Sequence, residues 1–176
     1  ITMAEGLLSL DDLAVHFKVG NALAGGIKTL KAVDGGTLDV KPGECLGLVG
    51  ESGCGKSTLA LAIMGLLPPT RGTIGIDGQQ ISGNTPPDRM KMARTVQMVF
   101  QDPYASLNPR MRAHDLVSEP LRNYAIGDAA SRRRRAAELL DRVGLPQATH
   151  TRFAHQFSGG QRQRLGIARA LALEPA

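Results

Sequence analysis

The chain has 176 residues, with 42% apolar side chains, 21 glycines, 10 prolines and a formal charge of +5. That length suits one domain, and the apolar share is enough to bury a core. No stretch approaches the length of a bilayer-spanning helix, and none near Ile1 resembles a signal peptide, so a soluble or membrane-peripheral protein is expected. Cys45 and Cys54 fit neither a disulfide framework nor a zinc spacing, which points to a reducing compartment. The positive charge invites a nucleic-acid reading, but aromatics are 3% of the chain and tryptophan is absent. Stacking platforms for bases are therefore scarce.

The sequence opens on Ile1, and Met3 is the expected natural start. Leu8, Leu10, Leu13, Val15 and Phe17 alternate within residues 7–19, predicting an antiparallel strand. Residues 20–26 read as a loop, 30–40 as a second strand, and Lys41-Pro42-Gly43-Glu44 as a turn. Cys45 to Val49 is a short apolar run that reads as a buried strand.

That run leads into Gly50-Glu51-Ser52-Gly53-Cys54-Gly55-Lys56-Ser57, with Thr58 next. Gly-x-x-x-x-Gly-Lys-Ser between a strand and a helix is the phosphate-cradling P-loop. Its glycines let the backbone wrap with N–H groups inward, and the following helix adds its positive end. Lys56 would reach the β- and γ-phosphates of a nucleotide, and the Ser57 hydroxyl would ligate Mg²⁺. Cys54 is either a reactive thiol or a small residue filling a tight turn. Leu59, Ile63, Leu66 and Leu67 recur at helical spacing behind the loop.

Pro68-Pro69-Thr70-Arg71-Gly72 stops that helix, and Thr73–Asp77 reads as a strand closed by Asp77-Gly78. A short helix is expected over Asp88–Arg94 and an apolar strand over Val96–Phe100, ending at Gln101. Residues 102–112 form a turn-rich loop. Val117, Pro120, Leu121 and Tyr124 mark a helix that Pro120 is expected to kink. A second helix starts near Ala129 behind an Asp128 cap, buries Ala136, Leu139, Leu140 and Val143, and ends at Gly144. Its Arg132-Arg133-Arg134-Arg135 run predicts a basic face, either solvated or set against an acidic or lipid surface. His150 and His155 read as loop or surface residues. A third helix opens at Ser158 and carries Leu165, Ala168, Leu171 and Ala172 on one side.

That third helix begins Phe157-Ser158-Gly159-Gly160-Gln161. A serine and two glycines again leave amides and a hydroxyl at a positive helix end. With a P-loop about a hundred residues earlier and Gln101 between them, the chain resembles the ATP-binding subunits of ABC transporters. Val49–Leu59 is similar to the family's Walker A region, Gln101 to its Q-loop, and Ser158 to Gln161 to its signature motif, with Phe157 where leucine is commonest. Gly47–Thr58, Val99–Arg110 and Phe157–Leu171 resemble the peptide and nickel importer branch, which includes dipeptide and oligopeptide importers.

The resemblance implies an α/β P-loop NTPase, a RecA-like core with an antiparallel β region and a helical subdomain. The implied division is 1–104 for the β region and nucleotide-binding core, 105–157 for the helical subdomain and 158–176 for the signature helix. It implies ATP and Mg²⁺ as cofactors. The ATP contacts would be Gly50, Glu51, Ser52, Gly53, Cys54, Gly55, Lys56, Ser57 and Thr58, with Ser158, Gly159, Gly160 and Gln161 reaching a partner's nucleotide. Ser57 and Gln101 would hold the metal, and Lys56 and Gln101 would act in hydrolysis. The implied partners are a second ATP-binding subunit, transmembrane permease subunits and, indirectly, an extracytoplasmic solute-binding protein, at the cytoplasmic face of a bacterial inner membrane.

Two departures from the family pattern carry expectations. No aromatic lies between Phe17 and Gly50, so the adenine-stacking residue has no match; its position, near Ile27, is aliphatic, and Phe17 is a weak substitute. The family's Walker B strand, its Asp-Glu pair, D-loop and switch histidine follow the signature helix and match nothing here. The resemblance therefore implies an incomplete fold, a fragment or interrupted frame, and poor hydrolysis by these 176 residues. Two other classes stand beside the importer subunit. An ABC-type ATPase acting on DNA has only the basic charge behind it, with no coiled-coil or zinc insertion; the other is a nucleotide-binding module without catalysis.

Overall fold

The computed structural model describes residues 6–20, 26–81, 89–102 and 106–176. The chain divides into two compact units, residues 1–93 and Arg94–Pro175, each with its own packing.

The first unit is built on an antiparallel sheet of order β2-β1-β3-β4, with β1 Leu8–Val19, β2 Lys28–Val40, β3 Arg71–Ile76 and β4 Gln79–Gln80. Strand β1 lies at the centre, Leu8 facing Val40 on one side and Ile76 on the other. Its apolar residues change parity, from Leu8 and Leu10 to Leu13 and Val15. A regular strand would send those two pairs to opposite faces. The structure resolves the conflict with a bulge between Leu10 and Leu13, where Asp12 takes φ 45°. Leu10, Leu13 and Val15 are all buried as a result.

The bulge is tied down from several sides. Arg71 meets the Asp12 carboxylate with both Nε, at 2.8 Å, and Nη2, at 2.9 Å. The Thr37 hydroxyl accepts from the Asp12 N–H at 3.1 Å. Gly72 sits against it with φ 86°, and a Cβ there would lie 2.4 Å from the Asp12 carbonyl oxygen, so only glycine fits.

Helix α1 (Lys56–Ile63) follows the glycine loop, and α2 (Arg89–Thr95) corresponds to the predicted short helix, whose first expected residue, Asp88, lies outside the described residues. The expected loop over 20–26 lies partly outside them as well, at 21–25, as does the 102–112 loop at 103–105. Two expectations are corrected. Cys45–Val49 is not a strand, and Leu46, Leu48 and Val49 stand 49%, 52% and 93% exposed. Val96–Phe100 is not a strand either, and Val99 and Phe100 are 40% and 44% exposed. A strand covered on both faces exists only where neighbours complete its ladder. Among the described residues neither run has such a neighbour. Of helix α1, Ala62 alone is buried, so its expected apolar stripe is only partly covered.

The second unit is helical. Helices α3 (Ala113–Asn123), α4 (Ala129–Arg142) and α5 (Gly159–Ala170) enclose Leu116, Val117, Leu121, Ala136, Leu139, Leu140, Leu165 and Ala168. Each fully buried leucine contributes roughly 1.5–3 kcal/mol. Pro120 sits in the last turns of α3, where its missing N–H removes one helical bond, and the helix closes at Tyr124. Asp128 caps α4, its Oδ1 accepting from the Ser131 N–H at 2.7 Å. His150 lies in a turn, the loop half of the expectation, but not at the surface: it is 7% exposed, with Nε2 3.0 Å from the Leu145 carbonyl oxygen. His155 is exposed and stacks on Phe153.

Candidate functional site

The loop Gly50–Gly55 owes its shape to glycine. Gly53 and Gly55 take φ 84° and 98°, a region that L side chains enter only at a cost. At Gly55 the reason is also steric, since a Cβ would lie 2.1 Å from the Ala32 carbonyl oxygen on β2. At Gly53 a Cβ would meet nothing within 4 Å, so there only the backbone conformation calls for glycine.

Gly55 is the N-cap of α1, and no side chain caps that helix. Asp128 caps α4 and Ser158 caps α5, while α3, entered from Arg112, has no side-chain cap either; at α1 the uncapped end is combined with the glycine loop and Lys56. The first N–H groups of a helix have no intrahelical acceptor, and an uncapped end leaves them for an anion. The Lys56 ammonium is drawn over the same loop. Its Nζ donates to the carbonyl oxygens of Gly50, at 2.8 Å, and Glu51, at 2.6 Å, and lies 3.4 Å from the Cys54 Sγ. Ser57 is exposed at the first turn, and Thr58 is half-buried behind it. Glycine amides, an uncapped helix end, one ammonium and one hydroxyl form a donor set that fits a polyphosphate with its metal.

In the second unit the α5 entrance is a capping box. The Gln161 side-chain oxygen accepts from the Ser158 N–H at 3.0 Å, and the Ser158 Oγ accepts from the Gln161 N–H at 3.4 Å. The serine hydroxyl is thus oriented as an acceptor toward its own helix, and its proton remains to be donated outward. A Cβ at Gly159 or Gly160 would meet nothing within 4 Å, so this helix mouth opens to free space. Gln101 is exposed, and the residue before it is held to α5 by Gln163, whose Nε2 donates to the Phe100 carbonyl oxygen at 3.5 Å.

The sequence reading named every residue of these two helix mouths. It did not register the Gln163 tie or the reciprocal cap, although Ser-x-x-Gln before an apolar helix is the signal for the latter. Ile27 is 60% exposed, while Phe17 is half-buried on β1 opposite Leu30.

Residues 33–176 match the family described as ABC transporter. The chain belongs to that family. A Brucella abortus protein named for peptide import and ATP binding is 48% identical over 172 residues, which cover 97% of this chain and 52% of that protein. YkfD of Bacillus subtilis, named for oligopeptide transport and ATP binding, is 45% identical over 170 residues, 96% of this chain and 50% of its own. The chain thus spans about half the length of the curated relatives it matches.

Among solved ABC structures, the dimeric post-hydrolysis state of the ATP-binding cassette MJ0796 with ADP and Pi superposes with a TM-score of 0.82 at 31% identity, over 96% of this chain and 70% of that one. The cbiO1 protein of Clostridium perfringens, part of the ABC transporter complex cbiONQ, gives 0.78 at 27% identity, over 98% and 63%. The fold is therefore that of the ABC ATP-binding cassette, an α/β P-loop NTPase with an antiparallel β region and a helical part.

Proposed function

We propose that the chain is the nucleotide-binding part of a subunit that energises an ABC importer of peptides. The observation that carries this is the uncapped start of α1, with the Lys56 ammonium held over the Gly50–Gly55 loop. The named relatives supply the importer class. In this reading residues 1–104 are the β region and nucleotide-binding core, 105–157 the helical subdomain and 158–176 the signature helix.

Gly50, Glu51, Ser52, Gly53, Cys54, Gly55, Lys56, Ser57 and Thr58 would hold ATP from one side. Loop amides would take the phosphate oxygens, and Lys56 would exchange two neutral carbonyls for the β- and γ-phosphates. Ser158, Gly159, Gly160 and Gln161 would face the γ-phosphate of a second ATP-binding subunit, the serine donating its outward proton. Mg²⁺, when bound, would neutralise phosphate charge; Ser57 and Gln101 are the side chains that would hold it. Gln101 would also orient the attacking water and link the nucleotide to the helices, which would meet transmembrane permease subunits on the cytoplasmic face of the membrane. The solute would reach the permease through an extracytoplasmic binding protein. Among the described residues no helix is long and apolar enough to cross a membrane.

ATP affinity measured with and without Lys56→Ala tests the nucleotide reading; equal affinities would reject it. Co-purification with permease subunits tests the importer reading against an ATPase acting on DNA.

A further inference from the structure

The arginine run of α4 has no part in the nucleotide site. Its members divide by position on the helix. Arg135 is half-buried and paired with Glu174 at 2.7 Å and Glu138 at 3.5 Å. Arg133 and Arg134 are exposed. They stand beside two clefts, of about 240 Å³ between α3 and the start of α4, and of about 470 Å³ between α4 and residues 147–151. Arg133 lines both. Arg122 and Arg132 line the first and Arg134 the second. The lining contains one carboxylate, Asp115, whose Oδ1 is already 3.2 Å from the His114 Nε2; next to it, the Asp128 carboxylate attracts Arg134 and the Arg132 Nε donates to the Asp128 carbonyl oxygen at 3.1 Å.

The wall between the clefts is fixed. The His114 ring donates from Nδ1 to the His150 carbonyl oxygen at 2.9 Å, and the His114 N–H donates to the same oxygen at 3.1 Å. These bonds join the start of α3 to the segment that lines the second cleft. The helix end itself is not the attraction, because the Asp128 carboxylate already caps it.

We propose that these paired clefts bind a phosphoryl anion through Arg122, Arg132, Arg133 and Arg134. Guanidinium forks match the oxygens of a phosphate ester in pairs. No phenylalanine, tyrosine or tryptophan lines either cleft, and the His114 ring that lines both is held by the His150 carbonyl oxygen, so neither cleft offers a broad platform for a stacked base. The anion comes either from a phospholipid headgroup or from a free phosphate. The lipid source rests on the membrane-side placement given above; the free source does not.

The test uses the 176-residue chain carrying Lys56→Ala, so that the P-loop competes less for the probe, and reads the change caused by the arginine substitutions on that background. Partition onto phosphatidylglycerol–phosphatidylcholine vesicles is read by sedimentation, with pure phosphatidylcholine as the blank, and pyrophosphate binding by calorimetry. Arg133→Gln/Arg134→Gln lowers binding by about 25-fold, about fivefold for each arginine. Arg122→Gln/Arg133→Gln does the same, should the first pair fail to fold. Arg142→Gln/Arg152→Gln removes equal charge from outside the clefts and leaves binding unchanged. Vesicle binding without pyrophosphate binding assigns the lipid, and the converse assigns the free anion. Binding of neither probe, or an equal loss in the control pair, overturns the proposal. ATP binding by the chain with Lys56 intact, measured alongside, fails only if the nucleotide reading fails.

Discussion

The Lys56 ammonium donates to the Glu51 carbonyl oxygen at 2.6 Å, so the cation of the glycine loop is held by the loop's own backbone. Gly50 supplies a second carbonyl at 2.8 Å. Neutral carbonyls stabilise an ammonium less than phosphate oxygens do, because the stronger hydrogen bonds are those between two ions. The lysine thus waits in place at little cost. Lys56→Ala is expected to weaken ATP binding by about 10- to 100-fold, the worth of one charged hydrogen bond of roughly 1.5–3 kcal/mol. Fluorescent-nucleotide titration reads this directly. An affinity within twofold of the parent would remove the loop from the site.

Gly53 and Gly55 share a left-handed backbone but differ in surroundings. Gly55→Ala adds a Cβ that would lie 2.1 Å from the Ala32 carbonyl oxygen, whereas at Gly53 the space is open. Backbone strain alone costs about 1 kcal/mol for Gly53→Ala. Gly55→Ala should cost that plus a displacement of β2 from the loop, about 2–4 kcal/mol. Urea midpoints of the two variants would rank them, and equal midpoints would contradict the close approach.

Ser158 caps α5 and, in the proposed reading, also presents its proton to a phosphate. Ser158→Ala loses both, with about 1 kcal/mol of stability. Ser158→Asp keeps a capping oxygen but puts a negative charge where a phosphate donor is needed. Its thermal midpoint should stay near the parent's, while ATP-dependent pairing with a complete ATP-binding subunit is lost. Pairing that survives in Ser158→Asp, read by size-exclusion chromatography with ATP, would confine the serine to capping.

Asp128 holds its carboxyl below the ordinary value of 3.8, first through the backbone N–H of Ser131, then its side chain, with Arg134 adding attraction. A depressed folded-state value favours the folded chain above the ordinary range, and that advantage disappears as pH falls through the folded value. The stability difference between parent and Asp128→Ala should therefore be constant at neutral pH and shrink only below about pH 4. Denaturation midpoints at pH 7, 5 and 3 measure it, and a gap that narrows between pH 7 and 5 would exclude the cap as its source.

How far the sequence carried this reading depends on the range of each interaction. The P-loop, the Asp128 and Ser158 caps and the stop at Gly144 were legible, because spacing, glycine conformation and capping are settled within a few residues. The change of parity between Leu10 and Leu13 passed as plain alternation in the sequence, because the bulge that answers it needs Arg71, Thr37 and Gly72 from other strands.

Cys45–Val49 and Val96–Phe100 show the opposite case. Both runs carry the apolar character of buried strands, and both lie exposed, because a ladder needs a neighbour that no local pattern supplies. His150 was likewise hidden from the sequence: its burial follows from the packing of residues 145–150 against α4, which pairs it with Leu145 and Asp141. By itself the sequence determined which backbone could cradle a phosphate, since glycines and caps act on their own turn. Only the tertiary structure decided which apolar runs and which polar rings are covered, since burial belongs to the pair of surfaces that meet and not to either one alone.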